Sequence, residues 1–513
     1  MNILLTIKSS YILLFLFLIG VASRLPFLEK MQSHWDGPQY TIGVIRYSLE
    51  QHIPAPPGYP IYIGLGKLFN IFVPNPHLAI LLVSVFFSGI GAIVFYIVGY
   101  KLFNKKVGLI ASLIFLSGPT FYYFGITANP YGILPITAAI LTLLAYEIQK
   151  GKNRSAALGI IFALAVGIRP QDALFLTPLF IYGIFISKNH HKLNSILFFI
   201  IVFLVWGIPL LESVGGLSKY LLAVNSYKQE ALPEFSLSHL TSVWFILIKG
   251  AFLSFTIANI FLILFLKDFL KFILIRQKFS FIVKNKYIII FSLWIFPSLL
   301  FNMFVRSDHA GHQMTYLSAV LILLSYAIWR LFRKHQKLLV TVVSIIVVFN
   351  LFTFFRDRDP GMTKDYVPQS FHYSEIRKNN IRMRSKVDYI KSNFKSYDTL
   401  LITTEPMWRP YSYHLKEYKI IALNALDNKS TPYKYNRYES QDWMFKYSLN
   451  HNFSLDIPKE ISNIVFIDED AGKWIKNYHI KKVELAANGS LAIANGKEIN
   501  KLIYNYHSIT FVK

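Results

Sequence analysis

The sequence predicts an α-helical polytopic membrane protein that ends in a soluble α/β domain. Three observations predict it. Only 16% of the 513 residues are charged, against about 25% in soluble domains. Apolar runs of about 18 residues or more, the length that crosses a bilayer, recur through the first two thirds. The charges collect at the end: 28 basic and 10 acidic residues precede Arg356, and the last 158 positions hold 25 and 18. Disorder, secretion as a free protein and an ordinary cytosolic enzyme are excluded. With no cysteine there is no disulfide framework, no thiolate metal site and no cysteine nucleophile.

Eleven spans are expected. The first, Tyr11 to Phe27, runs into Arg24-Leu-Pro without a small-residue cleavage site, so it reads as a retained helix and not a signal peptide. The others lie near 78–99, 107–125, 130–146, 155–168, 172–187, 195–211, 244–266, 287–304, 314–329 and 338–355. The linkers 101–106, 150–154, 188–192, 267–286 and 330–337 are all basic and all fall on one side. By the positive-inside tendency that side is cytoplasmic. The net charge of +25 is thus explained by membrane orientation and not by nucleic acid, since the basic residues form short clusters between apolar runs.

Alternation places 28–77, 126–129, 169–171, 212–243, 305–313 and the tail outside. Eight of the ten acids before Arg356 fall at or near that side, so acid and base chemistry is expected there. In the tail, Thr399 to Thr403, Lys419 to Leu423 and Asn463 to Asp468 read as strands. Helical stretches, Ile381 to Phe394 and Met407 to Tyr418, separate them. The alternation predicts a small α/β domain, giving a membrane domain over 1–355 and an extracytoplasmic domain over 356–513.

The first outer loop, 28–77, carries the most information. His34-Trp35-Asp36-Gly37-Pro38-Gln39-Tyr40 follows the first span. Pro56-Pro57-Gly58-Tyr59-Pro60 then precedes an apolar, interfacial helix over Ile61 to Phe72. One reading of Asp36 is structural: Asp at an N-cap with Pro two residues later is a common helix start. The other is a carboxylate held at the membrane surface for chemistry.

These strings, in this order and with a soluble C-terminal domain, resemble the membrane glycosyltransferases of the GT-C fold over nearly the whole chain. Arg169-Pro170, after a small-residue helix, is similar to an Arg-Pro at the outer end of a middle helix in that family. His309-Ala-Gly-His312-Gln313-Met-Thr-Tyr316 resembles the pattern opening a late helix in bacterial members, and Trp408-Arg409-Pro-Tyr-Ser-Tyr413 a stretch in their C-terminal domains. The protein O-mannosyltransferase and aminoarabinose-transferase branches usually show Asp-Glu in the first loop. Here Gly37 follows Asp36, closer to the single-Asp pattern of mannosyltransferase-like branches, so the acceptor class does not carry over.

The resemblance implies transfer of a sugar from a polyprenyl-phosphate carrier to an acceptor hydroxyl of a glycan, lipid or protein at the outer face. Asp36 would be the general base, positioned with His34, and the donor phosphate would be held by Arg169, Arg306, His309, His312, Lys219 and Lys249. Trp35, Gln39, Tyr40, Tyr59, Gln313 and Tyr316 would position substrate. A single displacement would invert the anomeric carbon. The sequence establishes no cofactor; a divalent metal is possible because His309 and His312 have a spacing that puts two side chains on one helical face.

Each residue also has a plainer reading. Arg169 can snorkel at a helix end, the two histidines can be polar loop residues, and Asp308 beside Arg306 can form a surface pair. Lys249 is costly inside a span unless it faces a cavity or snorkels. Tyr122, Tyr123 and Tyr131 read as an aromatic belt. Two other classes compete with the transferase. A lipid or glycan transporter would favour broken helices with midplane polar groups, and a membrane scaffold would need no clustered outer acids and bases.

Overall fold

The structure is a computed structural model that describes residues 9–32, 36–49, 53–231, 237–264, 266–267, 286–305, 307, 309–357, 371–404, 408–424, 445–448, 453–456, 459–467, 479–504 and 507–512. Its first half is built from helices α1 (Ser9–Ala22), α2 (Gly37–Ile45), α3 (Pro60–Phe72), α4 (Pro76–Leu102), α5 (Lys105–Ser117), α6 (Pro119–Phe124), α7 (Leu134–Gln149), α8 (Ser155–Ile168) and α9 (Asp172–Ile186). The second half of the membrane domain adds α10 (Asn189–Val214), α11 (Leu217–Ala231), α12 (Leu237–Phe255), α13 (Lys286–Phe304), α14 (Met314–Phe332) and α15 (Gln336–Phe355). A helix coincides with every expected span, and among the described residues eight are long and apolar enough to cross a membrane by length and composition. The expected spans at 107–125, 155–168 and 172–187 meet helices of 13, 14 and 15 residues. At 1.5 Å per residue each reaches about 20 Å of a core about 30 Å thick, so these three do not meet the length of a span and the expected count of eleven is not confirmed.

Local chemistry sets the helix ends. Asn75 accepts from the Leu78 amide at 3.0 Å, with Pro76 at the first helical position of α4, where a missing N–H costs nothing. Asn104 accepts from the amides of Lys106 and Val107 at 3.0 and 3.1 Å and closes the tight α4–α5 hairpin. The two helices then cross at Gly99 and Gly108: a Cβ on Gly99 would lie 2.7 Å from the Gly108 Cα. Only small residues allow backbones this close.

The Pro-Pro-Gly-Tyr-Pro turn depends on glycine for a different reason. Gly58 has φ of 113°, and a Cβ there would fall 2.3 Å from the hydroxyl of Tyr47, which donates to the Gly58 carbonyl at 2.8 Å. Gly58→Ala is therefore expected to strain the backbone by about 1–2 kcal/mol and to displace Tyr47. Thermal unfolding in detergent should show a lower Tm than wild type, and an unchanged Tm would rule out this account of the turn.

The tail forms α16 (Tyr373–Asn393), β1 (Thr399–Thr404), α17 (Trp408–His414), β2 (Lys419–Asn424), β3 (Phe445–Ser448), β4 (Phe453–Asp456), β5 (Asn463–Phe466), β6 (Ile480–Glu484), β7 (Ser490–Asn495), β8 (Lys501–Tyr504) and β9 (His507–Val512). A six-stranded sheet runs in the order β3-β2-β1-β5-β7-β6. Its β1, β2, β3 and β5 are parallel, and β7 is antiparallel to both β5 and β6. A second sheet runs β4-β9-β8. Met383, Val387 and Ile390 form the apolar stripe of α16, packed with Leu401, Tyr411, Leu415, Ile420 and Val465. Met31 and Ile53 of the first outer loop belong to the same cluster, and the Met31 amide donates to Asn380 Oδ1 at 3.0 Å. The tail therefore seats directly on the first loop.

Tyr122, Tyr123 and Tyr131 do not form a belt. All three are buried. The Arg24 guanidinium lies 4.2 Å from the ring centroid of Tyr122 and donates to the Leu116 carbonyl at 2.7 Å. Aromatic residues near span ends face lipid headgroups only if their face of the helix does, and hydropathy does not show which face that is.

Candidate functional site

Asp36 stands at the N-cap position of α2, yet its side chain makes no capping hydrogen bond. It accepts instead from Gln39 Nε2, whose Oε1 in turn accepts from the Ala55 amide at 2.6 Å. The buried Gln39 amide thus ties the start of α2 to the strand of loop before the Gly58 turn. The capping reading of Asp36 does not hold, because its carboxylate is directed to a side chain and not to the helix amides.

That turn delivers Tyr59. It adopts a left-handed conformation, φ 51°, at the N-cap of α3, and its ring meets Tyr40 edge-on with centroids 5.2 Å apart. Burial first, then Tyr59 and the Asp36 carboxylate, push the Tyr40 hydroxyl well above the usual phenol range. Burial also raises Tyr59, against the pull of Arg169 and with the push of Asp36. Both phenols therefore stay protonated and remain hydrogen-bond donors at neutral pH.

Arg169 enters from the corner between α8 and α9. It is buried, and its Nη1 donates to Asp172 Oδ1 at 3.1 Å. The other Asp172 oxygen accepts from Thr315 Oγ1 at 3.2 Å, which fixes the corner to the start of α14. The guanidinium lies 5.5 Å from the ring centroid of Tyr131. The same ring packs edge-to-face with His309, centroids 5.0 Å apart, and His312, at 5.7 Å, with the Tyr131 hydroxyl 3.4 Å from His312 Nε2. Tyr131 is also within electrostatic reach of Asp36 and Tyr59. Asp36, Gln39, Tyr40, Arg169, His309 and His312 are thus gathered around two buried tyrosines, Tyr59 and Tyr131.

The turn carrying the histidines is held from behind. Gln313 donates to the Ile246 carbonyl and to Ser307 Oγ, both at 3.1 Å, and accepts from Tyr316 at 2.9 Å. Gln313 and Tyr316 therefore bond to protein groups and set the position of His309 and His312. Lys219 is exposed on α11 and Lys249 half-buried on α12. Among the described residues neither bonds to a member of the cluster. His34, Trp35, Arg306 and Asp308 lie outside the described residues. No group of three or more His, Asp or Glu side chains among the described residues could hold a metal ion, so the His309–His312 pair has no third ligand there.

Asp172, Thr315 and Tyr131 were not singled out by sequence as functional. The Arg169 to Asp172 spacing of three matches a helical pair and was available as a signal. Nothing local marks Thr315, which is 143 residues from Asp172.

A family model described as dolichyl-phosphate-mannose-protein mannosyltransferase matches residues 55–211, from the Gly58 turn through Arg169 and into α10. No curated protein matches at a significant level. Among solved structures, ArnT from Cupriavidus metallidurans in the apo state is similar with a TM-score of 0.55 at 9% identity, covering 94% of this chain and 96% of that one. The same protein bound to undecaprenyl phosphate gives 0.57 at 10%, covering 96% and 99%. The chain has the GT-C fold. The GT-C likeness spans both the helical domain and the α/β tail, so the fold class expected from the sequence holds, the number of spans apart. At such low identity it speaks for the architecture, and the site rests on the contacts described above.

Proposed function

We propose that this chain is a membrane glycosyltransferase that moves a sugar from a polyprenyl-phosphate-linked donor to an acceptor hydroxyl at the extracytoplasmic face, with inversion. The observation that carries this reading is the joining of Asp36 to Arg169, His309 and His312 through Tyr59 and Tyr131. The match to a mannosyltransferase family model and the GT-C fold support it, and ArnT was captured with undecaprenyl phosphate. They favour it over a transporter of lipid or glycan.

In this mechanism the acceptor oxygen attacks the anomeric carbon while its proton passes to the Asp36 carboxylate. The bond from that carbon to the phosphate oxygen breaks, and polyprenyl phosphate leaves with the electron pair. Arg169, with the histidines that pack on the same Tyr131 ring, stabilises the charge that develops on the departing phosphate. Fixed donors in a dry site do this without reorganising. Gln39 holds Asp36 in place, and the protonated Tyr40 and Tyr59 present hydroxyl donors next to it. No step requires a metal.

The test is transfer by the purified protein in lipid nanodiscs, supplied with polyprenyl-phosphate-linked hexoses and a panel of glycan, lipid and peptide acceptors. Mass spectrometry of lipid-linked sugars that accumulate when the gene is deleted would name the donor. No transfer with any donor, and no accumulating lipid-linked sugar, would reject the reading.

We further place the tail, 356–513, outside the membrane and the loop 330–337 inside. A reporter fused after Lys337 is expected to be cytoplasmic and one fused after Lys364 extracytoplasmic. Both on one side would remove the tail from the face where Asp36 acts.

A further inference from the structure

Two buried polar atoms in the site have no partner among the described residues: Arg169 Nε and Gln171 Oε1. Buried donors and acceptors are almost always paired in native proteins, so an unpaired one of each kind, two residues apart, points to a ligand that supplies both. The backbone carbonyls at this corner are already engaged. The carbonyls of Arg169, Pro170 and Gln171 accept from the amides of Asp172, Ala173 and Leu174 at 2.9, 3.1 and 3.1 Å. Asp172 occupies Arg169 Nη1. Tyr59 lies within electrostatic reach of both side chains. That leaves the Gln171 oxygen as a neutral acceptor beside a cationic donor, with Pro170 fixing φ between them.

A ligand that completes this pair must present an anion and a hydroxyl donor within a few ångströms. A sugar bonded through its anomeric carbon to phosphate does so. We propose that Gln171 is the specificity-determining residue for the donor sugar, its Oε1 accepting from a hydroxyl next to the anomeric carbon while Arg169 Nε donates to the phosphate. This rests on the reading above that the donor is polyprenyl-phosphate-linked. A site built to hydrogen-bond a substrate hydroxyl discriminates against analogues that lack it, because its own polar group is then left unmade.

The experiment measures binding of three classes of lipid to the full-length protein in nanodiscs: bare polyprenyl phosphate, polyprenyl-phosphate-linked mannose, glucose and galactose, and their 2-deoxy forms. Wild type is expected to bind at least one hexose lipid more tightly than its 2-deoxy form. Gln171→Ala should weaken that hexose lipid about tenfold, the size of one hydrogen bond, and leave bare polyprenyl phosphate unchanged. Gln171→Glu, which keeps an acceptor, should retain the preference, whereas Arg169→Lys should weaken all three classes. Should Gln171→Ala fail to fold, Gln171→Met supplies a side chain of similar length without the acceptor. Equal weakening of bare and sugar-bearing lipids by the Gln171 variants, or no effect on either, overturns the assignment, as does wild type binding hexose and 2-deoxy lipids alike. Wild type that fails to bind even bare polyprenyl phosphate would instead reject the donor class, and this assignment with it.

Discussion

Asp36→Asn is expected to lower sugar transfer by about 10² to 10⁴ while expression, folding and donor binding stay at wild-type level. The side chain keeps its shape, and its remaining carbonyl oxygen still accepts from Gln39 Nε2, the bond that holds Asp36 in the structure. Asn also serves as an N-cap about as well as Asp, and the carboxylate makes no capping bond that could be lost. What disappears is the proton acceptor. Single-turnover transfer with saturating donor isolates the chemical step, and a variant that turns over at near wild-type rate would reject the general-base mechanism and most of the reason for placing the reaction in the first outer loop. Gln39→Ala should give a smaller loss, because it frees the carboxylate to rotate without removing it.

The second large effect concerns Arg169. Replacing it by Ala leaves Asp172, which is fully buried, without its cation, and breaking a buried pair on one side costs about 3–5 kcal/mol. Loss of activity in that variant alone would therefore confuse folding with donor binding. The double variant Arg169→Ala with Asp172→Ala removes both charges. Its stability is expected to exceed that of the single variant, since no uncompensated carboxylate remains. Donor use should stay weak in both, by the roughly 1.5–3 kcal/mol of a charge-assisted hydrogen bond to phosphate, or about 10- to 150-fold in donor affinity. Recovery of wild-type donor kinetics in the double variant would show that Arg169 serves the fold and that the phosphate is held elsewhere.

The hydropathy pattern located a helix at every expected span, and the β-branched runs near Thr399, Lys419 and Asn463 located the three central strands of the tail. It did not show which of the shorter helices could cross a membrane alone, because length in sequence and length in structure part at breaks such as Gly118, where α5 gives way to α6. The site was legible where a residue type is costly in its setting: a carboxylate after the first span, an arginine at a span end, two histidines in a short loop. It was not legible where function depends on direction. Tyr131 and Tyr316 look alike in a hydropathy plot, yet one ring packs with Arg169 and with the histidines while the other residue's hydroxyl braces Gln313. Thr315 gives no sign of its role until the fold sets its hydroxyl against Asp172.

Met31 and Ile53 are buried among the side chains of the tail, so the tail's interior is completed by residues that precede it by more than three hundred positions. Such a tail is not an interchangeable module. A chimera joined at residue 356 would bring in a foreign sheet and helix with no matching sockets for those two side chains, and would expose them on the loop that carries Asp36. Exchange between relatives is expected to succeed only when the segment around 28–57 travels with the tail. Drift in either partner is then constrained by the other, and the tail's sequence is tied to the geometry of a carboxylate it does not itself contain.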